Sequence, residues 1–262
     1  GGLLLSASHW FRRAVDSAAL QRPDLLAGRR PRTINMSTIG DDLLREASPG
    51  FGPKIEAVLV YNSNPVAVAP ESTKVVAGFQ REDLFTVVLE HFLTDTADHA
   101  DYVLPATTQL EHLDVHTSYG HTYVLINHAA VPPLGQAKPN TQIFRELAQR
   151  LGFTDPCFAD TDEQLARQAV PTLDFEQLSA RGWIKLPLPE VPFADGGFHT
   201  PDGKACVDAP GMGVPDYRPP YESVASAPAL AQRYPLAMIS PPARNFLNST
   251  FVNVKSLRSI EG

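Results

Sequence analysis

Cysteine is nearly missing from this chain. The two present, Cys157 and Cys206, stand far apart and form no Cys-x-x-Cys pair. That is too few for an iron–sulfur cluster held by four thiolates within the chain, and no disulfide framework is implied. Both read as small core residues. Long apolar runs are missing as well: none reaches the roughly 20 residues that a membrane-spanning helix needs, so no membrane insertion is expected. The first residues, GGLLLSASHW, lack the basic start and the cleavage site of a signal peptide, and the expected location is the cytoplasm, with the periplasm as the alternative. Basic runs are scarce, and the formal net charge is −7, which argues against a nucleic-acid partner. The densest basic patch, Arg29-Arg30-Pro31-Arg32, reads as a solvated loop.

Several catalytic and nucleotide signatures are also lacking. No GxGxxG follows a strand and no GxxxxGK[ST] occurs, so ordinary dinucleotide and P-loop sites lose their main support. No GxSxG elbow supports a serine nucleophile. Six of the eight histidines lie between His91 and His128, yet EHLDVH is not the HExxH of a metalloprotease. The histidines read as polar lining of a cleft. The chain lacks an initiator Met and closes on SIEG just after a new segment begins. It therefore reads as an excerpt of a longer polypeptide, the alternative being a processed protein with a tag remnant at Gly1-Gly2.

What is present is a globular pattern, 43% apolar over 262 residues, enough for one large or two ordinary domains. The stretch from Leu84 to Tyr123 organises the rest. It runs from an apolar segment LFTVVL, ending on Glu90, through a polar segment of helical length, TDTADHA, to a second apolar run, YVLP, stopped by Pro105. Buried strand, short crossover and buried strand are the pattern of a parallel α/β sheet. Upstream, EAVLVYN (56–62) reads as a strand buried on both faces.

Helices are expected from Ser6 or Ser8 to about Leu20, over Gly40–Ala47, over Glu71–Phe79, and from Asn140, as N-cap, to a Gly152 C-cap, where Ile143, Phe144, Leu147 and Leu151 share one face. Thr161 and Gln164 match a capping box, and DFEQLSARG reads as one more helix. TTQLEHLD reads as a helical turn and HTYVLINHAAV as a strand. Asp202-Gly203 suggests a hairpin, 209–230 a linker, and YPLAMIS (234–240) a fresh strand. The fold class expected is α/β, a mostly parallel sheet flanked by helices over 1–222, followed by the start of a β-barrel domain over 223–262.

In such sheets ligands bind outside the carboxyl ends of the strands. The hydrogen-bonding side chains at that edge are Asn62, Ser63, Asn64, Glu90, Thr94 and Thr96. An acidic residue at a strand end can accept two hydrogen bonds from ribose hydroxyls, or equally from the N1–H and amino group of guanine. A plain turn at Asn64-Pro65 and a solvated strand end at Glu90 are the simpler alternatives.

The succession VYNSNP, FLTDTADHADYVLPATTQLEH, SYGHTYV and GQAKPNTQIFRELAQRLGF closely resembles the molybdopterin oxidoreductases of the dimethyl sulfoxide reductase family. The resemblance covers 1 to about 153, weakens over 154–230 and resumes at YPLAMISPPARNFLNSTFVN. It implies molybdenum or tungsten on two molybdopterin guanine dinucleotides, and a 4Fe–4S cluster in an N-terminal part outside this chain. It further implies a small-molecule substrate and an electron-transfer partner subunit.

By the same resemblance Ser63 and Asn64 approach a guanosine and Glu90 is the acidic position after the next strand. His112 is a polar position able to contact cofactor, and Asn140 is the polar residue after the GxA loop. Ser240, Pro241, Asn245, Asn248, Ser249 and Thr250 match a stretch that wraps the second dinucleotide. Amides and hydroxyls there satisfy pterin and guanine edges without adding charge near a pyrophosphate. Neither cysteine falls where the family's metal ligand is expected. A non-catalytic electron-transfer subunit of the same fold, as in respiratory complex I, and an unrelated nucleotide-binding α/β module remain as alternatives.

Overall fold

The computed structural model describes residues 14–118, 120–188, 193, 196–198, 200–207, 211, 213–214 and 216–261. The chain divides into two compact units, one running to Pro187 and resuming at Asn248, the other Leu188–Leu247.

Near the start of the described residues, the first unit has a short helix α1 (Ser17–Gln21), capped by the Asp16 side chain on the Ala19 N–H. The helix expected from Ser6 or Ser8 to about Leu20 starts outside the described residues, but it does not run through: Val15 and Asp16 are not helical, so α1 is a separate short helix with its own cap. Arg29 donates to the carbonyls of Leu25 and Leu26, and Arg32 to that of Pro53 while stacking on Phe51. The basic patch is thus used partly to satisfy backbone carbonyls.

Helix α2 (Ile39–Leu44) follows, then strand β1 (Ala57–Tyr61), helices α3 (Pro65–Val68) and α4 (Ser72–Phe79), strand β2 (Phe85–Glu90) and strand β3 (Tyr102–Pro105). The strands pair in parallel in the order β1-β2-β3, with Tyr61 opposite Leu89 and Glu90 opposite Pro105. Their carboxyl ends therefore share one edge. The β2–β3 connection is shorter on structure than expected: TDTADHA forms only a 3₁₀ turn, Ala97–His99. Its side chains cap and tie loops, and such local bonds compete with a continuing helix.

One face of this sheet carries the core. Leu43, Val60, Val66, Val75, Phe79, Leu84, Val88 and Ala97 pack together between the strands and α2/α4. The two helices cross closely because two glycines stand at the contact. A Cβ on Gly40 would lie 2.8 Å from the Val75 nitrogen, and one on Gly78 would lie 2.7 Å from the Leu43 Cβ.

The opposite face corrects the expectation of a β1 strand buried on both sides. Leu59, Tyr61, Phe85 and Tyr102 are all more than 40% exposed. Only a partial cover is present, through the edge-to-face contact of Tyr61 with Phe144, ring centroids 5.4 Å apart. Period-2 alternation puts these residues opposite the core side chains, and a parallel sheet needs helices on both faces to bury both.

A separate antiparallel sheet follows, β4 (Asp114–His116), β5 (Tyr123–Asn127) and β6 (Trp183–Lys185) in that order. Helix α5 (Asn140–Arg150) starts one residue differently from expectation: Pro139 is the N-cap and Asn140 the first helical residue. Its apolar face is only partly buried, with Ile143 inside and Leu151 60% exposed. Helix α6 (Asp162–Ala169) has the Thr161–Gln164 capping box, and α7 (Phe175–Arg181) ends on left-handed Gly182.

In the second unit, helix α8 (Pro228–Arg233) is formed. The expected hairpin is only a turn: the Phe198 N–H donates to the Gly203 carbonyl, and no strand flanks it among the described residues. The expected strand 234–240 is not formed either. Leu236, Met238 and Ile239 are 90, 89 and 88% exposed, for a strand forms only against a partner that takes its backbone hydrogen bonds. Back in the first unit, 248–254 is a run of turns leading to α9 (Lys255–Glu261). The described residues of 223–261 hold two helices and no strand, so the start of a β-barrel is not seen there.

Candidate functional site

Where the carboxyl ends of β1, β2 and β3 meet the N-terminus of α5, the first unit encloses a cavity of about 550 Å³. That falls in the range of small-molecule and cofactor sites. The loop after β1 contributes Asn62, Ser63 and Asn64; the end of β2 contributes Leu89, Glu90, His91, Phe92 and Thr94. Ala106, Thr108 and Gln109 follow β3, Asn140 begins α5, and Ser249, Thr250, Phe251 and Asn253 come from the turn-rich segment before α9.

Each wall has a local cause. Asn62 takes a left-handed backbone, φ 53°, which Asn tolerates better than most residues, and turns the chain at the strand end. Asn64 is buried, and its carboxamide is committed. Its Oδ1 accepts from the Thr96 N–H (3.1 Å) and hydroxyl (2.7 Å), and its Nδ2 donates to Asp95 Oδ2 (3.2 Å). The Thr94 hydroxyl accepts from the Ala97 N–H. Glu90 ends β2 half-buried, and its Oε1 accepts from the His91 N–H at 2.7 Å. It is the only carboxylate among the cavity residues, and no ion pair involves it among the described residues.

The wall after β3 is held from behind. Glu111 accepts from the Thr108 N–H and hydroxyl and from the Leu134 N–H, and these bonds, the Thr108 N–H first, hold its carboxyl below the ordinary Glu value. The His91 Nε2–H donates to the Thr107 carbonyl at 3.0 Å. His112 bonds the Thr107 hydroxyl through Nδ1 at 2.8 Å and is not among the cavity residues. His112 and His116 share no helix, since His116 lies in β4. No metal-type cluster of His, Cys, Asp or Glu occurs among the described residues.

The structure therefore brings together Asn62, Ser63, Asn64, Glu90, Thr94, Asn140, Ser249 and Thr250. It does not bring in His112 or Asn248, the latter exposed with φ 53°. Ser240, Pro241 and Asn245 belong to the second unit; the first two are exposed and Asn245 is half-buried. Sequence reasoning missed His91, Phe92, Thr108, Gln109, Phe251 and Asn253. The available signal was adjacency, because His91 and Phe92 follow Glu90 directly and Thr108 and Gln109 follow YVLP.

Chemically the site is rich in amides and hydroxyls, with one carboxylate and no lysine or arginine. The Asn140 Oδ1 is buried without a hydrogen-bond partner. A buried acceptor left unpaired costs about 1–3 kcal/mol; the residue itself stands at the cavity wall where α5 begins. A polar cavity at the carboxyl edge of a parallel sheet, beside a helix N-terminus, is where open α/β folds take their ligands.

Residues 40–150 match the family model for the molybdopterin oxidoreductases. The probable oxidoreductase YoaE of Bacillus subtilis (strain 168) is 41% identical over 249 residues, 90% of this chain and 35% of that protein. The probable oxidoreductase YyaE of the same organism is 33% identical over 221 residues, 80% of this chain and 32% of that one. The acetylene hydratase of Syntrophotalea acetylenica is 29% identical over 196 residues, 71% and 27% of the two chains. Among solved structures, acetylene hydratase from Pelobacter acetylenicus superposes with a TM-score of 0.70 at 24% identity, over 87% of this chain and 32% of that one; that likeness shows the fold. The chain belongs to the molybdopterin oxidoreductase family. It spans about a third of the length of the curated relatives it matches.

Proposed function

We propose that this chain is the part of a molybdenum or tungsten oxidoreductase that grips the guanosine end of a molybdopterin guanine dinucleotide. The observation that carries the reading is the convergence of Glu90, Asn140 and Ser249/Thr250 on one cavity at the carboxyl edge of the parallel sheet. The Glu90 carboxylate accepts two hydrogen bonds from N1–H and the amino group of guanine or from ribose hydroxyls. The hydroxyls of Ser63, Thr94, Ser249 and Thr250 pair with the remaining polar edges.

The resident metal, when bound, supplies two-electron redox chemistry; this chain binds and orients its carrier. A bis-dinucleotide cofactor, a 4Fe–4S cluster elsewhere in the protein, a small-molecule substrate, an electron-accepting partner subunit and a cytoplasmic location belong to the same proposal. Among the described residues no helix is long and apolar enough to cross a membrane.

The test is Glu90→Ala in the intact protein, read by metal analysis and by fluorescence of the released, oxidised pterin. Loss of a charge-assisted pair of hydrogen bonds is worth about 1.5–3 kcal/mol, so cofactor occupancy falls on dilution. Unchanged occupancy makes Glu90 a solvated strand end. Wild-type protein containing iron but no molybdenum, tungsten or pterin overturns the enzyme reading in favour of a non-catalytic electron-transfer subunit.

A further inference from the structure

The two loops that form the β1 and β2 sides of the cavity are joined by two side chains that sequence reasoning had assigned to the ligand-facing edge. Thr96 is completely buried. Its hydroxyl donates to Asn64 Oδ1 at 2.7 Å and accepts from the Val66 N–H at 3.1 Å. Its own N–H donates to the same Asn64 oxygen at 3.1 Å, and Asn64 Nδ2 reaches Asp95 Oδ2 at 3.2 Å. Four hydrogen bonds thus connect segments that lie 30–32 residues apart. Asn62 and Ser63 precede this junction directly, and Glu90 and Thr94 stand on the other strand's loop. With both Oδ1 lone pairs taken, Asn64 has no acceptor left for a ligand.

We infer that Asn64 and Thr96 are positioning residues, a clamp that fixes the spacing between the Asn62–Ser63 turn and Glu90, and so sets how tightly the cavity holds a nucleotide. The inference rests on the nucleotide reading above and deepens it: of the polar residues at the sheet edge, Glu90 meets the ligand while Asn64 and Thr96 set where it stands. Thr96→Val keeps the shape, removes the hydroxyl's donor and acceptor, and leaves the buried Val66 N–H unpaired. Thr96→Ser keeps both bonds. Asn64→Asp keeps the Oδ1 acceptor but turns the Nδ2 contact into a carboxylate facing Asp95. Adding Asp95→Asn restores that bond with donor and acceptor exchanged.

The experiment is calorimetric titration of the intact, cofactor-free protein with GMP, with urea unfolding of every variant alongside. Thr96→Val is expected to weaken GMP binding by the folded protein about 3- to 10-fold, the equivalent of one net hydrogen bond. Thr96→Ser is expected to bind like wild type. Asn64→Asp should lose a similar factor and regain it in Asn64→Asp/Asp95→Asn, a rescue that a merely structural role does not require of binding. Should Thr96→Val fail to fold, the Asn64–Asp95 exchange decides alone. Folded Thr96→Val, or Asn64→Asp, that binds GMP as wild type does overturns the clamp and leaves the nucleotide reading standing. Wild-type protein that binds no GMP overturns both.

Discussion

Strand β2 and the segment 234–240 are both short apolar runs, FTVVLE and YPLAMIS, and they end in opposite states. The first lies between two parallel neighbours, with Thr86 and Val88 at 0% exposure. In the second, Leu236, Met238 and Ile239 are almost fully exposed and no ladder forms. The difference is not in the amount of apolar side chain. β2 finds a partner for each edge and a helical layer, α2 with α4, for one face, whereas 234–240 has neither among the described residues. An apolar run becomes a strand when its backbone groups are paired, and burial follows.

The contrast is tested most directly by truncating one side chain that packs behind β2 and one within 234–240. Leu43→Ala, behind the core face of the sheet, should cost about 2–5 kcal/mol, because a buried leucine leaves a cavity when truncated. Leu236→Ala should stay within about 0.5 kcal/mol, as exposed substitutions do. Urea denaturation of the two variants checks the pair, and equal losses would mean that 234–240 is packed after all.

A smaller effect is expected at the helix crossing that covers β2. Gly40→Ala places a Cβ against the backbone of Lys74 and Val75, which cannot swing away as a side-chain tip does. Overpacking of this kind costs about 1–3 kcal/mol, read again by urea denaturation, while adding a methyl group in the exposed 234–240 segment should cost nothing measurable.

The smallest effect belongs to the thinly covered side of the sheet. Glu146 on α5 is held down to about 2, first by the Lys138 ammonium and then by Gln142. A carboxyl lowered by folding adds stability above its unfolded value near 4.5, and that stability is lost as pH falls through the folded value. The window is therefore from about pH 5 down to about 2. Lys138→Met should return the Glu146 titration, followed by carboxyl NMR, towards the ordinary value and flatten the stability profile in that window. Because the pair is solvent-exposed, neutral-pH stability should barely change.

Much of the fold was legible because it is local. The Thr161–Gln164 capping box, the Ile143/Phe144/Leu147/Leu151 spacing, the Gly182 stop and the runs ending on Tyr61 and Glu90 all state their structure within a few residues. The edge residues of the cavity were legible for the same reason, since strand ends in a parallel sheet gather on one side. What stayed hidden is non-local. His91 bonds Thr107 and Asn127 bonds His112 across turns of the chain. Phe251 and Asn253 reach the cavity edge more than a hundred residues after Asn140. No periodicity encodes such meetings.

The amino-acid order thus determined which residues could be strands, caps and polar ends, because backbone preference and side-chain alternation act over one or two turns. Tertiary structure decided the rest. It left one face of the sheet only partly covered, kept 234–240 unpaired, moved His112 out of the cavity lining, and turned Asn64 from an edge residue into half of a buried clamp. Each of these depends on a partner distant in sequence, and a hydrogen bond or a packed face exists only once that partner has arrived.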